Sequence, residues 1–288
     1  MRRSSWFLSF LWLLLACVPL SAQESLNTEW LTRDINNINR LLPELSRVEN
    51  HSLQRFGELF GNGNGVSSEE MDLGFGAKSF VFSVPGGYTH FSVDGIAVND
   101  RIAKCRIKAR GSTSWAMIRT FMIDAWKAVG PPEFEEAESG IRRDYEYPSV
   151  LAEYKSLVAA RLGPMKSVQV PSDLKSGYEY LISLDENSVV GRGACDYGGS
   201  LPIGLTLMTD LVKAGRVDLI ENILRGYNPG GRVYALLVLL KLKRKGMKLS
   251  DQTLQSMRVV SDLEIPIETC SGCIHWNQTA KAIITDAN

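Results

Sequence analysis

The stretch Val233-Tyr-Ala-Leu-Leu-Val-Leu-Leu-Lys-Leu242 decides how the rest of the chain folds. Its first eight residues are apolar, and Leu, Ala and the preceding Pro229-Gly-Gly231 favour a helix over a strand. A helix that is apolar on every side has no face to turn towards water, so it is buried. The stretch is much shorter than the roughly 20 apolar residues that cross a bilayer. We therefore expect it to be the central helix of a helical core.

The composition is that of an ordinary globular protein. Of the 288 residues, 44% are apolar and 22% are charged, which suits one or two domains of roughly 100–200 residues each. Lys plus Arg and Asp plus Glu both number 32, so the formal net charge is zero. Nucleic-acid-binding proteins usually carry a basic excess, and we therefore expect no nucleic-acid partner.

The N-terminus has the three parts of a secretory signal peptide. Arg2 and Arg3 precede an apolar run at 6–15, and small residues lead up to Ala22. We predict cleavage after Ala22, so that residues 1–22 are a signal peptide and the protein is exported to the periplasm or the extracellular space.

A lipid anchor is the alternative interpretation of the same segment. Leu14-Leu15-Ala16-Cys17 is similar to a bacterial lipobox, which would leave the mature protein lipidated on Cys17. We expect no other attachment to a membrane, because no later segment is long and apolar enough to span one.

Residues 23–65 are predicted to be a helical segment followed by a linker. Apolar residues recur at alternating spacings of four and three, which predicts an amphipathic helix that Pro43 breaks or kinks. A second short helix is expected at 53–60, and Gly61-Asn-Gly-Asn-Gly65 is typical of a flexible linker. The periodic positions of the first helix are Leu31, Ile35, Ile38, Leu42 and Leu45.

Residues 66–200 are predicted to form an α+β domain with a small antiparallel sheet and packed helices. Short apolar segments separated by Gly, Pro, Asn and Asp predict three or four strands between residues 78 and 110, with Pro85-Gly-Gly87 as a hairpin turn. The remaining expectations are helices at 115–126 and from Pro148 onward, strands at 168–170 and 178–184, and a glycine-rich loop at 191–199.

Residues 201–288 are predicted to form an all-α domain. Two apolar stripes of helical period end at Gly215 and Gly226, the buried helix spans 231–245, and Ser250 can cap a fourth helix. Short helices with short connections pack antiparallel to their neighbours. Their lengths resemble those of helical hairpins in HEAT repeats, so we expect a HEAT-like arrangement.

One segment of the predicted sheet carries a family resemblance. The strands around Gly86-Gly-Tyr-Thr-His-Phe-Ser-Val-Asp-Gly95 loosely resemble the novel putative carbohydrate-binding modules attached to glycoside hydrolases. The resemblance implies a jelly roll made of strands alone, and a carbohydrate as ligand.

Cys270-Ser-Gly-Cys273 is the sharpest local motif. Without the signal peptide, four cysteines are candidates for disulfides, namely Cys105, Cys195, Cys270 and Cys273, and structural disulfides are the default in an exported protein. We predict a bond between Cys270 and Cys273, because Gly272 can adopt the backbone angles of a tight turn. The alternatives are a redox-active Cys-x-x-Cys pair, or a metal site that would need all four cysteines.

A basic cluster follows the buried helix. Cations at the C-terminus of a helix are favoured by its dipole, by about 0.3–1 kcal/mol each. An anionic partner, such as lipid headgroups or an acidic polysaccharide, is the alternative explanation. The cluster consists of Lys241, Lys243, Arg244, Lys245 and Lys248.

No motif in the sequence points to catalysis. His51, His90 and His275 are far apart, and we expect no metal ion and no cofactor. The expected function is a non-catalytic binding or scaffolding role in the bacterial envelope, with a protein or a polysaccharide as partner. The alternatives are a thiol-disulfide oxidoreductase using Cys270 and Cys273, a hydrolase using the loop at 191–199, and a carbohydrate-binding protein.

Overall fold

The computed structural model describes most of the chain after the predicted signal peptide. Within it the fold is α+β, as expected: helices are combined with two separate sheets. The predicted cleavage site, Cys17, the linker at 62–65 and most of the helix at 115–126 lie outside the described residues. The described residues are 28–45, 52–61, 67–111, 120, 124, 135–137, 140–184, 189–195 and 199–286.

Six strands of the described chain form an antiparallel sheet in the order β1-β2-β3-β4-β6-β5. The hairpin predicted at Pro85-Gly-Gly87 is confirmed, because β2 pairs with β3 from Ala77 opposite Val98 to Pro85 opposite His90. The bounds are β1 Ser67–Gly74, β2 Ala77–Pro85, β3 Thr89–Val98, β4 Arg101–Gly111, β5 Glu135–Ala137 and β6 Gly140–Glu146.

Two helices, α1 Thr28–Leu45 and α2 Leu53–Gly61, pack on one face of this sheet. Phe60 of α2 stacks on Phe82 of β2, with ring centroids 5.9 Å apart. Of the predicted break or kink at Pro43, the break is wrong, because α1 continues to Leu45 with Pro43 in its last turn. A kink there stays a prediction. Together with apolar residues of β2, β3 and β4, the two helices form a hydrophobic core on this side of the sheet.

Asp34 fixes α1 to the turn between β2 and β3. Its side chain is 1% exposed and accepts hydrogen bonds from the backbone nitrogens of Gly87, Tyr88 and Thr89, at 2.7 to 3.2 Å. A Cβ atom at Gly86 would lie 1.8 Å from Asp34 Oδ1, so the close approach of the helix to the turn requires glycine there. The carboxylate therefore satisfies backbone donors that the turn leaves without partners.

Seven helices and three strands follow β6 in the described chain. The helix predicted from Pro148 is confirmed, with proline in its first turn and Gly163 as its C-cap. Ser250 caps α8 as expected, since its hydroxyl accepts a hydrogen bond from the Thr253 nitrogen. The bounds are α3 Pro148–Leu162, α4 Ser172–Ile182, β7 Val190–Cys195, α5 Ile203–Lys213, α6 Val217–Leu224, α7 Pro229–Arg244, α8 Asp251–Ser261, β8 Ile267–Gly272, β9 Ile274–Gln278 and α9 Ala280–Asp286.

The predicted central helix is confirmed as α7, and its burial is deepest in its first half. Val233, Leu236 and Leu239 are at most 1% exposed, and α7 packs against α4, α5, α6 and α8. Leu237 and Val238 are only half-buried, so the helix is not enclosed evenly on all sides. No helix among the described residues is long and apolar enough to span a membrane.

Arg232 connects α7 to the six-stranded sheet. It is 0% exposed, and it donates hydrogen bonds from Nε to the Gly226 carbonyl at 2.8 Å, from Nη1 to the Leu73 carbonyl at 3.3 Å and from Nη2 to the Tyr154 hydroxyl at 2.9 Å. Its guanidinium also stacks on the ring of Phe75, 4.8 Å from the centroid. These contacts join β1, α3 and α7 through one side chain, and the end of β1 belongs to the same hydrophobic core as the helices.

Four predictions for the second half of the chain are wrong. Residues 178–184 lie mostly in helix α4, where Tyr178 and Leu181 are three apart and both buried, and residues 168–170 form no strand. Part of the predicted loop at 191–199 is strand β7, which pairs in parallel with β8. Because β8 and β9 form a hairpin, the C-terminal region is not all-α. The domain boundaries at residues 65 and 200 stay predictions.

Candidate functional site

The face of the six-stranded sheet opposite α1 and α2 is polar. Side chains alternate along a strand, so the register that turns Val93 and Ile107 towards the helices turns Asp94 and Arg106 to the other side. On β4 this alternation gives a row of four cations on one face. We call this face the open face, and its cations on β4 are Lys104, Arg106, Lys108 and Arg110.

A groove of about 860 Å³ lies where the open face meets the helices. Leu184, which follows α4, and Pro229, the first residue of α7, line its helical side. On its sheet side, Val81 and Ile96 are apolar, and the open-face side chains from β4 and β6 are charged. The residues of the sheet side with side chains on the open face are Ser79, Val81, Asp94, Ile96, Lys104, Arg106, Asp144 and Glu146.

Ion pairs connect three strands across the open face. Asp144 of β6 accepts from Arg106 Nε at 2.8 Å and from Arg142 Nη2 at 2.6 Å, and Lys108 Nζ lies 2.8 Å from Asp94 Oδ1. Burial raises the pKa of Asp144, but the hydrogen bonds from Arg142 and Arg106 outweigh it and leave that pKa below its ordinary value. Three cations and two carboxylates therefore leave a net charge of +1 in the middle of the face.

The two ends of the open face carry charges of opposite sign without partners. Glu146 at the helical end and Arg110 at the far end are exposed, and neither forms an ion pair within the described residues. Glu146 lies opposite Lys104 in the sheet register, six residues before Arg110 on β4. At about 3.4 Å per residue, the two charges are about 20 Å apart along the strand direction.

The neighbour of Arg110 at the positive end carries no charge. His90 of β3 is directly opposite Arg110. Burial and, second, the charge of Arg110 lower the pKa of His90, so the imidazole is neutral at pH 7 and does not compete with Arg110 for an anion. A negatively charged group on a ligand therefore meets one permanent cation at this end.

The predicted bond between Cys270 and Cys273 is wrong. Cys270 is bonded to Cys195, with Cα atoms 5.7 Å apart. Cys270 is a buried residue of β8 beside β7, whereas Cys273 lies in the turn between β8 and β9 and is an exposed free thiol. A Cβ atom at Gly191 would lie 2.7 Å from both sulfurs, so glycine allows the disulfide to pack against the backbone of β7.

Cys105 lies in another sheet from Cys195 and Cys270, on the helix-covered face of β4. It is a free thiol that is 3% exposed, and burial, followed by the charges of Asp94 and Asp144, raises its pKa far above the ordinary value. The described residues contain no group of three or more His, Cys, Asp or Glu that could hold a metal ion. A site of all four cysteines is therefore not assembled.

Other candidates from the sequence are spread over the surface. His275 lies on β9, where its Nδ1 is 3.0 Å from Glu268 Oε1. His51 and the 196–198 part of the predicted loop are outside the described residues. The five cations at the end of α7 are all exposed.

No family model, curated protein or solved structure matches this chain. The resemblance to carbohydrate-binding modules at 86–95 implies a jelly roll of strands alone. Instead, these residues belong to the β2–β3 hairpin of a sheet with helices packed on one face. The fold expected from the resemblance is therefore wrong.

Sequence reasoning missed the charged groups of the groove. The period-two cations of Lys104-Cys-Arg-Ile-Lys-Ala-Arg110 are visible in the sequence and indicate a strand with one charged face. Asp144 and Glu146 could not be placed beside them without the register of β6 on β4.

Proposed function

We propose that this protein is a non-catalytic binding protein of the bacterial envelope, and that the groove on the open face binds an extended segment of a partner protein. The observation that carries the proposal is a pair of charges without an ion-pair partner among the described residues: Glu146 lines the groove, and Arg110 lies on the same face beyond it, with the exposed Val81 between their levels. An extended segment of about six residues spans the distance of about 20 Å between them. A basic residue near Glu146 and an acidic residue near Arg110 would fix its direction.

The lining of the groove favours a polypeptide over a polysaccharide. Sugar rings pack their apolar faces on exposed aromatic rings, which offer a large flat surface. Phe80 and Tyr145 are the aromatic residues among those that line the groove, and their side chains point to the helix-covered face. Val81, which is 42% exposed, offers an apolar contact between charged neighbours, as a peptide with mixed side chains requires.

The arrangement of helices supports a scaffold role for the other part of the chain. Helices α5 to α8 are joined by short connections, and consecutive helices pack on each other. We propose that they form HEAT-like helical hairpins that hold the helical wall of the groove in place through α7. Export is supported by the disulfide between Cys195 and Cys270, since such bonds persist in oxidising compartments.

Charge-swap variants test the groove. A library of peptides panned on the wild-type protein should yield extended sequences with a basic and an acidic residue about six positions apart. Arg110→Glu and Glu146→Arg should each lower the affinity for a selected peptide by up to about fivefold, which is the contribution of an exposed ion pair. The double variant Arg110→Glu with Glu146→Arg should select peptides with the charges reversed. Binding constants come from titration of labelled peptides.

The matched control is Arg161→Glu, an exposed residue at the end of α3 that is not on the open face of the sheet. It makes the same change of charge as Arg110→Glu, so it should leave peptide binding unchanged. Peptides whose affinity is equal for wild type and the double variant would refute the proposed groove. If panning yields no peptide and the wild-type protein binds to a glycan array, the result would favour a carbohydrate ligand instead.

Thiol-disulfide exchange is the second candidate, supported by the exposed thiol of Cys273 three residues from a disulfide sulfur. The Cys273 thiolate would attack the Cys270 sulfur, forming a 270–273 bond and releasing Cys195 as a thiolate, with no net oxidation. An oxidoreductase would turn over a disulfide substrate and would lose that turnover in Cys273→Ser.

A further inference from the structure

Helix α7 ends in a cluster of cations that points into solvent. We call residues 241–248 the basic tip. Three of its cations are in the last turn of α7, one is the C-cap, and one follows the helix. All of them are exposed: Lys241, Lys243, Arg244, Lys245 and Lys248.

Capping of the C-terminus of α7 and its helix dipole do not account for all five cations. The last carbonyls are already satisfied by backbone donors, since Gly246 N bonds to the Lys243 oxygen at 3.0 Å and Met247 N bonds to the Leu242 oxygen at 3.1 Å. The helix dipole favours cations only within the last turn, and Lys248 lies beyond it. Within the described residues no ion pair involves Lys241, Lys243, Lys245 or Lys248.

An apolar side chain lies among these cations. Met247 is 37% exposed and sits between Lys245 and Lys248. Gly246 has a φ of +88°, a backbone conformation that allows the sharp turn before Met247. The basic tip therefore presents one exposed, flexible apolar side chain that is flanked in sequence by cations.

We propose that the basic tip docks on an anionic phospholipid bilayer. Lys side chains can place their ammonium groups at lipid phosphates while their methylene stems lie along the acyl boundary. Met247 would enter the same boundary, as apolar residues of surface-bound helices do. A soluble acidic polymer matches the charges but offers no apolar layer for Met247, so the bilayer accounts for both features. The proposal does not depend on the groove or on a lipid at Cys17.

Vesicle flotation of the exported chain tests the docking. The Cys17→Ser form is used, so that an attached lipid cannot contribute. The protein should float with vesicles of phosphatidylglycerol and phosphatidylcholine, stay behind with phosphatidylcholine alone, and be released by high salt, which screens the attraction. Each cation near an anionic surface contributes about fivefold to binding, so the triple variant Lys243→Gln, Lys245→Gln, Lys248→Gln should bind about a hundredfold more weakly.

The matched control removes three exposed cations elsewhere, with Arg161→Gln, Lys175→Gln and Lys281→Gln. It makes the same change of net charge and should bind vesicles like the wild type. Met247→Gln should weaken vesicle binding several-fold and leave retention on a heparin column unchanged. Equal losses in the two triple variants, or no binding of the wild type, would overturn the proposal. Full vesicle binding by Met247→Gln would make the tip a site for polyanions and would also overturn it.

Discussion

Leu239→Asp is expected to lower the free energy of unfolding by at least about 5 kcal/mol, which is a third or more of the stability of an ordinary protein, about 5–15 kcal/mol. Leu239 is 0% exposed at the centre of α7, in the core that the helices share with the end of the six-stranded sheet. The substitution removes buried apolar surface and places an ionised carboxylate among the apolar side chains of the core. Urea unfolding followed by circular dichroism measures the change.

Leu237→Asp is the graded control, because it places the same charge on the same helix two residues earlier. Leu237 is only half-buried, so its carboxylate can reach water and should cost clearly less. If Leu239→Asp and Leu237→Asp unfold at the same urea concentration as the wild type, α7 is not the central element of the core.

Loss of the disulfide between Cys195 and Cys270 is expected to have the second-largest effect, about 4 kcal/mol. The bond connects residues 75 apart, and chain entropy predicts a stabilisation of about this size for a loop of that length. The free energy of unfolding should therefore fall by similar amounts in three variants, Cys195→Ser, Cys270→Ser and the double variant, since each removes the same bond. Addition of a reductant should lower the stability of the wild type towards that of the variants.

Cys273→Ser is the control that separates the two possible pairings. Cys273 is an exposed free thiol, so its replacement should leave the unfolding curve unchanged. A bond between Cys270 and Cys273 would make Cys273→Ser costly and Cys195→Ser nearly neutral, and peptide mapping without reduction would find the two cysteines linked. Either result would contradict the pairing described here.

The elements that the sequence predicts correctly are those set by local patterns. The buried helix combines strong helix formers with a proline-glycine start, and the helix from Pro148 has a proline suited to its first turn. The hairpin at Pro85-Gly-Gly87 carries its turn signal between two strand-like segments. In these cases local preference and tertiary packing agree.

The errors lie where distant parts of the chain decide the structure. Strand β7 contains Gly191 and Gly193, which favour a loop, but pairing with β8 and the disulfide to Cys270 hold it extended. The local alternation of apolar and polar residues at 178–184 resembles a strand, yet burial of Tyr178 and Leu181 on one side stabilises a helix. Neither outcome can be derived without knowing which segments meet.

In the candidate site, too, some features follow from local sequence patterns and others depend on distant parts of the chain. The cations of β4 could be found from the sequence, because their spacing of two is a strand period. The isolation of Arg110 and Glu146 at opposite ends of one face depends on the register between β4 and β6. That register brings together segments far apart in the chain, so the charge pattern of the groove becomes apparent only in the folded protein.

Photo-crosslinking of a selected peptide tests the proposed binding groove most directly. A photoreactive amino acid replaces, one at a time, three exposed apolar residues: Val81 in the groove, Trp30 on α1 and Ile274 on β9. The groove predicts a crosslink from Val81 that unlabelled peptide competes away, and none from Trp30 or Ile274. A competed crosslink from Trp30 or Ile274, with none from Val81, would place the peptide elsewhere and contradict the proposed function of the groove.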